Sequence, residues 1–340
     1  MKKKPLITIA ITCFNAEKTI ERALLSAINQ DWTNFEIIVV DDASTDSSKE
    51  ILKKYESKYI NINVIYQFKN KGCAYSRNQL IANANGDFIA FFDDDDFSSS
   101  KRIRLQYEHL INYEKVQATK FVACFASGFR IYPNSYKKNI LAVGAFGQPP
   151  IGFQMVNYLL FNERMKGIDY GAGVPTCSLL ARTIVLKNAG GFDSKIRRQE
   201  DIDFAIRLAK NGCHFIGIKE QVIKQYVSFT NDKSALIEYK SSLLVIEKNK
   251  DYLVSKRLYN YMKLWVKIKF FHLSKNDFVA FFVLLAIFFS YPIRTVKHFS
   301  RSSFNRFLHE QFINSTPKRL MIKRNCVKFL NYLINIFNHE

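Results

Sequence analysis

The sequence predicts an α/β fold: a Rossmann-like, mostly parallel sheet flanked by helices and followed by a helical C-terminal extension. Three observations predict it. Through the first hundred residues, apolar runs of strand length alternate with stretches of helical periodicity. Each run is nearly continuous in hydrophobicity, as in strands buried on both faces. Several runs end in polar or acidic residues, and in parallel sheets ligands bind beyond the carboxyl ends of the strands.

The elements follow in order. LITIAIT (6–12) reads as a buried strand after a basic tail; it is short, carries two Thr and lacks a small-x-small cleavage site, so a signal peptide is the weaker reading. Residues 16–29 form a helix with Ile20, Ala23, Leu24, Ala27 and Ile28 on one face. FEIIVVDD (35–42) is a second strand, and Thr45 or Asp46 caps a helix over 47–57. A third strand covers 62–67, a helix 75–83, and a fourth strand, DFIAFFD (87–93), ends in acid. From 98 to 235 the pattern loosens, with helices over 100–114, 152–163 and 200–211. Beyond 235, residues 256–272 make a basic amphipathic helix, Phe278–Tyr291 is apolar but for Ser290, and 318–337 is a last amphipathic helix. A spanning helix needs about 20 residues, so 278–291 predicts an interfacial or buried helix.

Hydrophobic residues at 48% allow a sizeable core and exclude wholesale disorder. Net charge is +20, unevenly spread: residues 1–255 hold 35 basic and 27 acidic residues, and residues 256–340 hold 15 and 3. Such an excess points to a polyanion. No zinc-finger, RNP-like or helix-turn-helix pattern is present, so nucleic acid is not the expected partner. Cysteines 13, 73, 124, 177, 213 and 326 are scattered without a CxxC pair, which predicts no disulfide scaffold or zinc site and a reducing, cytoplasmic setting.

Chemistry concentrates in a few places. Asp93, Asp94, Asp95 and Asp96 repel one another unless a cation offsets them, and hard oxygen ligands suit Mg²⁺ or Mn²⁺. An EF-hand loop from Asp93 fails, because Ser98 and Arg104 stand where Gly and Glu are required. Thr12 and Asn15 after the first strand, and Asp41 and Asp42 after the second, should converge with the acidic run. In KGCAYSRN (71–78), Gly72 permits close backbone approach and Arg77 can neutralise a diphosphate. Glu200 and Asp201 open a helix, where the dipole favours acids.

In this order, "ITIAITCFNAEKTIERALLSAINQ", "FEIIVVDDASTDSS", "NKGCAYSRNQLIANANGDFIAFFDDDD" and "GGFDSKIRRQEDIDFAIRLAKNG" resemble the family 2 glycosyltransferases, inverting enzymes of the GT-A fold. The resemblance covers about residues 5–230. It implies that Thr12, Asn15, Asp41, Asp42, Arg77, Asp93 and Asp94 hold a nucleotide-sugar, with Asp42 accepting from a uracil N3–H. It implies an Asp93-x-Asp95 metal motif, with Asp95 the direct ligand of Mn²⁺ or Mg²⁺ and Asp96 shaping the acceptor side. Asp201 is then the general base, with Glu200 beside it. Residues 1–97 become the nucleotide-sugar half and 98–235 the acceptor half; outside the shared motifs, the basic amphipathic pattern of 236–340 predicts a helical region attaching to an anionic membrane surface, the alternative being packing on the catalytic domain or a second subunit. The expected partners are a UDP-sugar, a saccharide or lipid-linked acceptor of a bacterial surface polysaccharide, the inner face of the plasma membrane and a second copy of the chain. The rivals are a sugar nucleotidyltransferase, which needs glycines where "TCFNAEKT" stands, and a non-catalytic nucleic-acid-binding or membrane-associated protein.

Overall fold

The computed structural model describes residues 4–227 and 234–298, with 309, 312 and 313; the expected helix over 318–337 and Cys326 lie outside the described residues. Strands β1 (Ile7–Cys13), β2 (Phe35–Asp41), β3 (Ile62–Tyr66) and β4 (Phe88–Asp93) pair in parallel in the order β3-β2-β1-β4. Helices α1 (Ile20–Ile28), α2 (Ser48–Lys58) and α3 (Cys73–Asn83) connect them. Ile7, Ile9 and Ile11 face one core cluster while Ala10 faces another, so β1 is buried on both faces. The apolar run near the N-terminus is thus an interior strand of the parallel half of the sheet.

The second half of the sheet is mixed. It comprises β5 (Phe97–Ser98), β6 (Val122–Ile131), β7 (Lys137–Ile140), β8 (Leu179–Arg182) and β9 (His214–Tyr226), interleaved with α4 (Arg102–Gln117), α5 (Phe153–Phe161), α6 (Thr183–Asn188) and α7 (Glu200–Lys210). β8 joins β4 and β6 antiparallel, β6 pairs β9 in parallel, and β5 and β7 close antiparallel on β9 and β6. The mostly parallel sheet read from the sequence therefore describes the first four strands. Beyond β4 only β6 and β7 form a short-loop hairpin; β8 returns antiparallel to β4 and β6 after a long excursion through α5.

After β9 come α8 (Ala235–Lys248), α9 (Lys250–Ser255), α10 (Tyr259–Leu273) and α11 (Asp277–Ser290), with 292–298 again helical. Tyr261, Met262 and Val266 of α10 are buried in the same cluster as Phe204 and Phe215. Two of its lysines are paired to protein: Lys269 Nζ lies 2.6 Å from Glu238 of α8, and Lys263 Nζ 3.5 Å from Glu247. The basic amphipathic helix expected at 256–272 thus packs on the domain. α11 buries Ala280 and Ile287 but leaves Phe278, Phe281, Phe282, Phe288 and Phe289 exposed. Among the described residues no helix is long and apolar enough to cross a membrane.

Candidate active site

Strand register brings the predicted residues together. Thr12 lies opposite Val40 on one side and Asp93 on the other, and Cys13 lies opposite Asp41. One edge of the sheet therefore carries Thr12, Asp41 and Asp93. The loops beyond it are laced by side chains. Asn15, at φ 50°, donates its N–H to Ser44 Oγ (3.0 Å), and its Oδ1 accepts from Thr45 N–H (2.8 Å). Asp41 is fully buried and accepts the Ser44 N–H at 3.3 Å. Asp42 takes the N–H groups of Lys71 and Gly72, one on each oxygen, both at 2.8 Å. Gly72 precedes α3 at φ 89°, a left-handed backbone that favours glycine. Burial raises the Asp42 carboxyl above its ordinary value despite these two donors. Thr12 Oγ1 sits 3.8 Å from Cys73 Sγ.

The acidic run is fixed mostly through backbone. Asp94 Oδ2 accepts the Phe14 N–H (2.9 Å), and Asp96 Oδ1 accepts the Tyr226 N–H at the end of β9 (3.2 Å). Burial, with Asp93 and Asp95 alongside, pushes Asp96 up to about 8, and burial beside Asp95 raises Asp94 well above the carboxylate range. Ligand atoms of Asp93, Asp96 and Cys177 lie within 4.8 Å of one another. That trio includes Asp93 from the expected metal pair but substitutes Asp96 for Asp95, whose carbonyl instead accepts from the Arg22 guanidinium. Close carboxylates whose charge is disfavoured by burial and mutual repulsion are what a divalent cation would relieve, so the residues present fit one.

The second acidic cluster arrives on α7. Glu200 Oε1 pairs with Arg77 Nη1 at 2.7 Å, while Arg77 Nη2 lies 3.6 Å from Asp93. The guanidinium is buried, yet Glu200, Asp93 and Asp201 hold its charge in place. Arg77 therefore joins the two clusters. Asp201 is turned elsewhere: it lines a cavity of about 500 Å³ bounded by β6, β7, α5, α8 and α10. Burial first, and the neighbouring Glu200 second, push Asp201 up to about 6. That leaves a carboxylate ionised at neutral pH but able to take a proton.

Sequence reasoning missed the residues that hold these groups. Arg102 is fully buried behind the acidic run, donating to Phe91 carbonyl (2.8 Å), Ser98 Oγ (2.9 Å) and Gln106 Oε1 (3.0 Å). Gln199 precedes α7 at φ 65°, and its Nε2 donates to Glu238 Oε1 (2.7 Å) and Ser242 Oγ (2.6 Å) of α8. Asp203, also buried, pairs with Arg207 (3.0 Å) and Lys248 (2.7 Å) and so ties α7 to α8. The density of charge in "RRQEDID" was the one signal near Gln199 and Asp203, and Arg102 had none.

The model of glycosyl transferase family 2 matches residues 8–187. The chain belongs to that family. Among relatives, a putative glycosyltransferase of Bacillus subtilis, EpsE, is 27% identical over 232 residues, spanning 66% of this chain and 74% of its own. The Escherichia coli UDP-Glc:alpha-D-GlcNAc-diphosphoundecaprenol beta-1,3-glucosyltransferase WfaP is 32% identical over 187 residues, 54% of this chain and 62% of its own. The S. aureus TarS 1–349 fragment in complex with UDP-GlcNAc superposes with TM-score 0.57 at 18% identity, over 78% of this chain and 72% of that one. The last likeness is one of fold, and it agrees with the glycosyltransferase α/β architecture described above. As a family 2 glycosyltransferase, the chain carries its matched segment on β1 to α6, while α7 and the C-terminal helices lie beyond it.

Proposed function

We propose that this glycosyltransferase moves a sugar from a UDP-sugar to a hydroxyl of a saccharide or lipid-linked saccharide in bacterial surface polysaccharide synthesis, with inversion. The observation that carries the reading is Asp201: a carboxylate pushed up to about 6, lining a cavity and bridged through Glu200 and Arg77 to the aspartate edge. The donor lies over Thr12, Asn15, Asp41, Asp42, Asp93 and Asp94, and the acceptor enters by the cavity. Asp201 takes the proton of the acceptor hydroxyl as its oxygen attacks the anomeric carbon. The bond from that carbon to the diphosphate breaks and the nucleoside diphosphate leaves. A single displacement converts an α-linked donor into a β-glycoside and needs no second carboxylate nucleophile. Asp93, Asp95 and Asp96 would hold Mn²⁺ or Mg²⁺, which neutralises charge on a departing diphosphate. Glu200, neutralised by Arg77, orients rather than abstracts. The name of the E. coli relative, which gives a UDP-Glc donor and a diphosphoundecaprenol-linked acceptor, and UDP-GlcNAc bound to the TarS fragment support the choice of donor and acceptor class.

Screening a panel of UDP-sugars with Mn²⁺ tests the reading. One donor should be turned over, and D95N should lose the metal response while still folding. Absence of turnover across the panel, or D95N with unchanged turnover, would overturn the donor or the metal assignment.

The same chain attaches peripherally to an anionic membrane through α11. Phe278 and Phe289 are 75% and 78% exposed, and the surrounding C-terminal region holds most of the basic excess. Basic side chains near an anionic surface contribute about 1 kcal/mol each.

A further inference from the structure

The strand-end edge has two sides. β1 runs between β2 and β4, so Asp42 after β2 and Asp93 at the end of β4 belong to strands about 10 Å apart, two strand spacings. The cations near the two sides differ in what they already hold. On the β4 side Arg77 is engaged by Glu200 at 2.7 Å and approaches Asp93 at 3.6 Å. On the β2 side Lys71 Nζ donates to the Tyr75 hydroxyl at 2.9 Å. A third cation, Arg197, reaches the β2 side from the loop before α7. Its Nη1 stands 3.2 Å from the position a Cβ at Gly72 would take, and the Gly72 N–H is itself 2.8 Å from Asp42 Oδ2. Because Gly72 has no side chain, the guanidinium can lie against its backbone beside Asp42. Burial raises the Asp42 carboxyl, and Arg197 is among the groups that draw it back down. Arg197 is exposed, and among the described residues it enters no salt bridge, whereas its neighbour Arg198 faces Glu238 at 3.9 Å.

We infer that Arg197 is a further donor-binding residue, whose guanidinium donates to a ring carbonyl of the uracil while Asp42 accepts the N3–H beside it. The inference rests on the glycosyl-transfer reading and deepens it by adding a cation that reads the donor's base. The pairing edge of uracil presents a carbonyl on each flank of N3–H, so a guanidinium on either side of Asp42 meets an acceptor. A carboxylate that accepts, next to a guanidinium that only donates, is the complementary set. The side of the edge decides between base and diphosphate. Arg197 lies on the β2 side with Asp42, whereas the diphosphate's charge is met on the β4 side, where the acidic run would hold its cation. The loop that carries Arg197 also leads into Glu200 and Asp201. It is tied to α8 by the Arg198 N–H on Ser241 Oγ (3.2 Å) and by Gln199 Nε2 on Glu238 Oε1 (2.7 Å). The turn that presents Asp201 therefore also touches the donor's base.

Binding to the full chain in the presence of Mn²⁺, compared between wild type and R197A, tests this. The probes are UDP and inorganic pyrophosphate, followed by calorimetry, and uridine, followed by ligand-observed NMR. R197A should bind UDP and uridine about tenfold more weakly, as expected for loss of a hydrogen bond from a charged donor. Pyrophosphate should bind both proteins equally, which also shows that R197A is folded. UDP affinity unchanged in R197A would overturn the inference and leave the donor reading in place. A loss confined to UDP and pyrophosphate, with uridine unchanged, would move Arg197 to the diphosphate and overturn the base contact. Wild type that binds no UDP would sink the donor reading itself, and the inference with it.

Discussion

The two acidic clusters are built from the same residue types and held in opposite ways. Asp93 to Asp96 follow a strand, and the run is tied mainly to backbone: Phe14 N–H, Tyr226 N–H and the strand ladder itself. Glu200 and Asp201 start a helix and are tied by side chains: Arg77 on Glu200, and Gln199, Ser242 and Glu238 beneath the turn. A backbone-held cluster inherits the rigidity of the sheet. A side-chain-held cluster depends on partners far away in sequence, and single substitutions can loosen it. On the proposed mechanism this divides the labour: a rigid edge for the donor's charge and a tunable carboxylate for the proton.

The largest effect should come from Asp201. D201N should lower kcat by about 10²–10⁴ fold, the usual worth of a positioned base, with UDP affinity unchanged. Its pH dependence has a definite sign. A base raised to about 6 is active when ionised, so kcat/KM should fall below that pH and level above it. The acid limb should be absent from the residual activity of D201N. A limb that persists in the variant would move the base elsewhere.

Arg77 tests the joint between the clusters. R77Q leaves Glu200 without its partner in a buried site, a loss that typically costs about 3–5 kcal/mol of stability. Arg77 also holds Asp201 down against burial and Glu200. Removing it should therefore move the acid limb of kcat/KM to higher pH, measurable even if the thermal midpoint drops. A limb that stays in place would show that the clusters are not coupled through this residue.

The first cluster was legible in the sequence and the second only in part, for a physical reason. A buried strand running into Asp93 to Asp96 is a local pattern, and so is the Asp41-Asp42 pair after β2. Their convergence follows from the parallel order of β1, β2 and β4, which the alternation of strand and helix dictates. Glu200 and Asp201 could be named from their helix start, but not what holds them. Glu238 on α8 reads as one more acid on a solvated face, and only the fold sets it against Gln199. β6 and β9 escaped as well. Gly128 and Gly217 interrupt their apolar runs, and the register shifts between Ala126 and Gly128 break the period a strand pattern needs. The same blind spot hid the cavity, whose walls come from β6, β7, α5, α8 and α10 at once.

A smaller effect sharpens the contrast between backbone and side-chain support. Glu238 touches neither cluster directly, but it accepts from Gln199 Nε2 and from Lys269 Nζ, linking α10 to the turn before Asp201. Hydrogen bonds to a charged group contribute about 1.5–3 kcal/mol, so E238Q should reduce kcat about tenfold. KM for the donor should not change, because the donor edge does not depend on this network. A structural defect alone would lower the amount of folded enzyme and leave the kcat of the remainder intact; a drop in kcat at unchanged donor KM is the signature of positioning.

The smallest effect on catalysis should come from α11, whose phenylalanines contact neither cluster. Truncation before α10 would remove Tyr261 and Met262 from the core and confound the result, so substitution in the full chain is the cleaner test. F278S/F282S/F289S should leave turnover of a water-soluble acceptor unchanged. Flotation with vesicles containing anionic lipid should be lost, since each fully buried phenylalanine contributes about 1.5–3 kcal/mol to such an interface. Raising salt should weaken flotation of the wild type in parallel, because the basic residues of the C-terminal region act through a screened field. Variants that float like wild type at every salt concentration would reassign α11 to a protein contact and move the membrane attachment to another part of the basic chain.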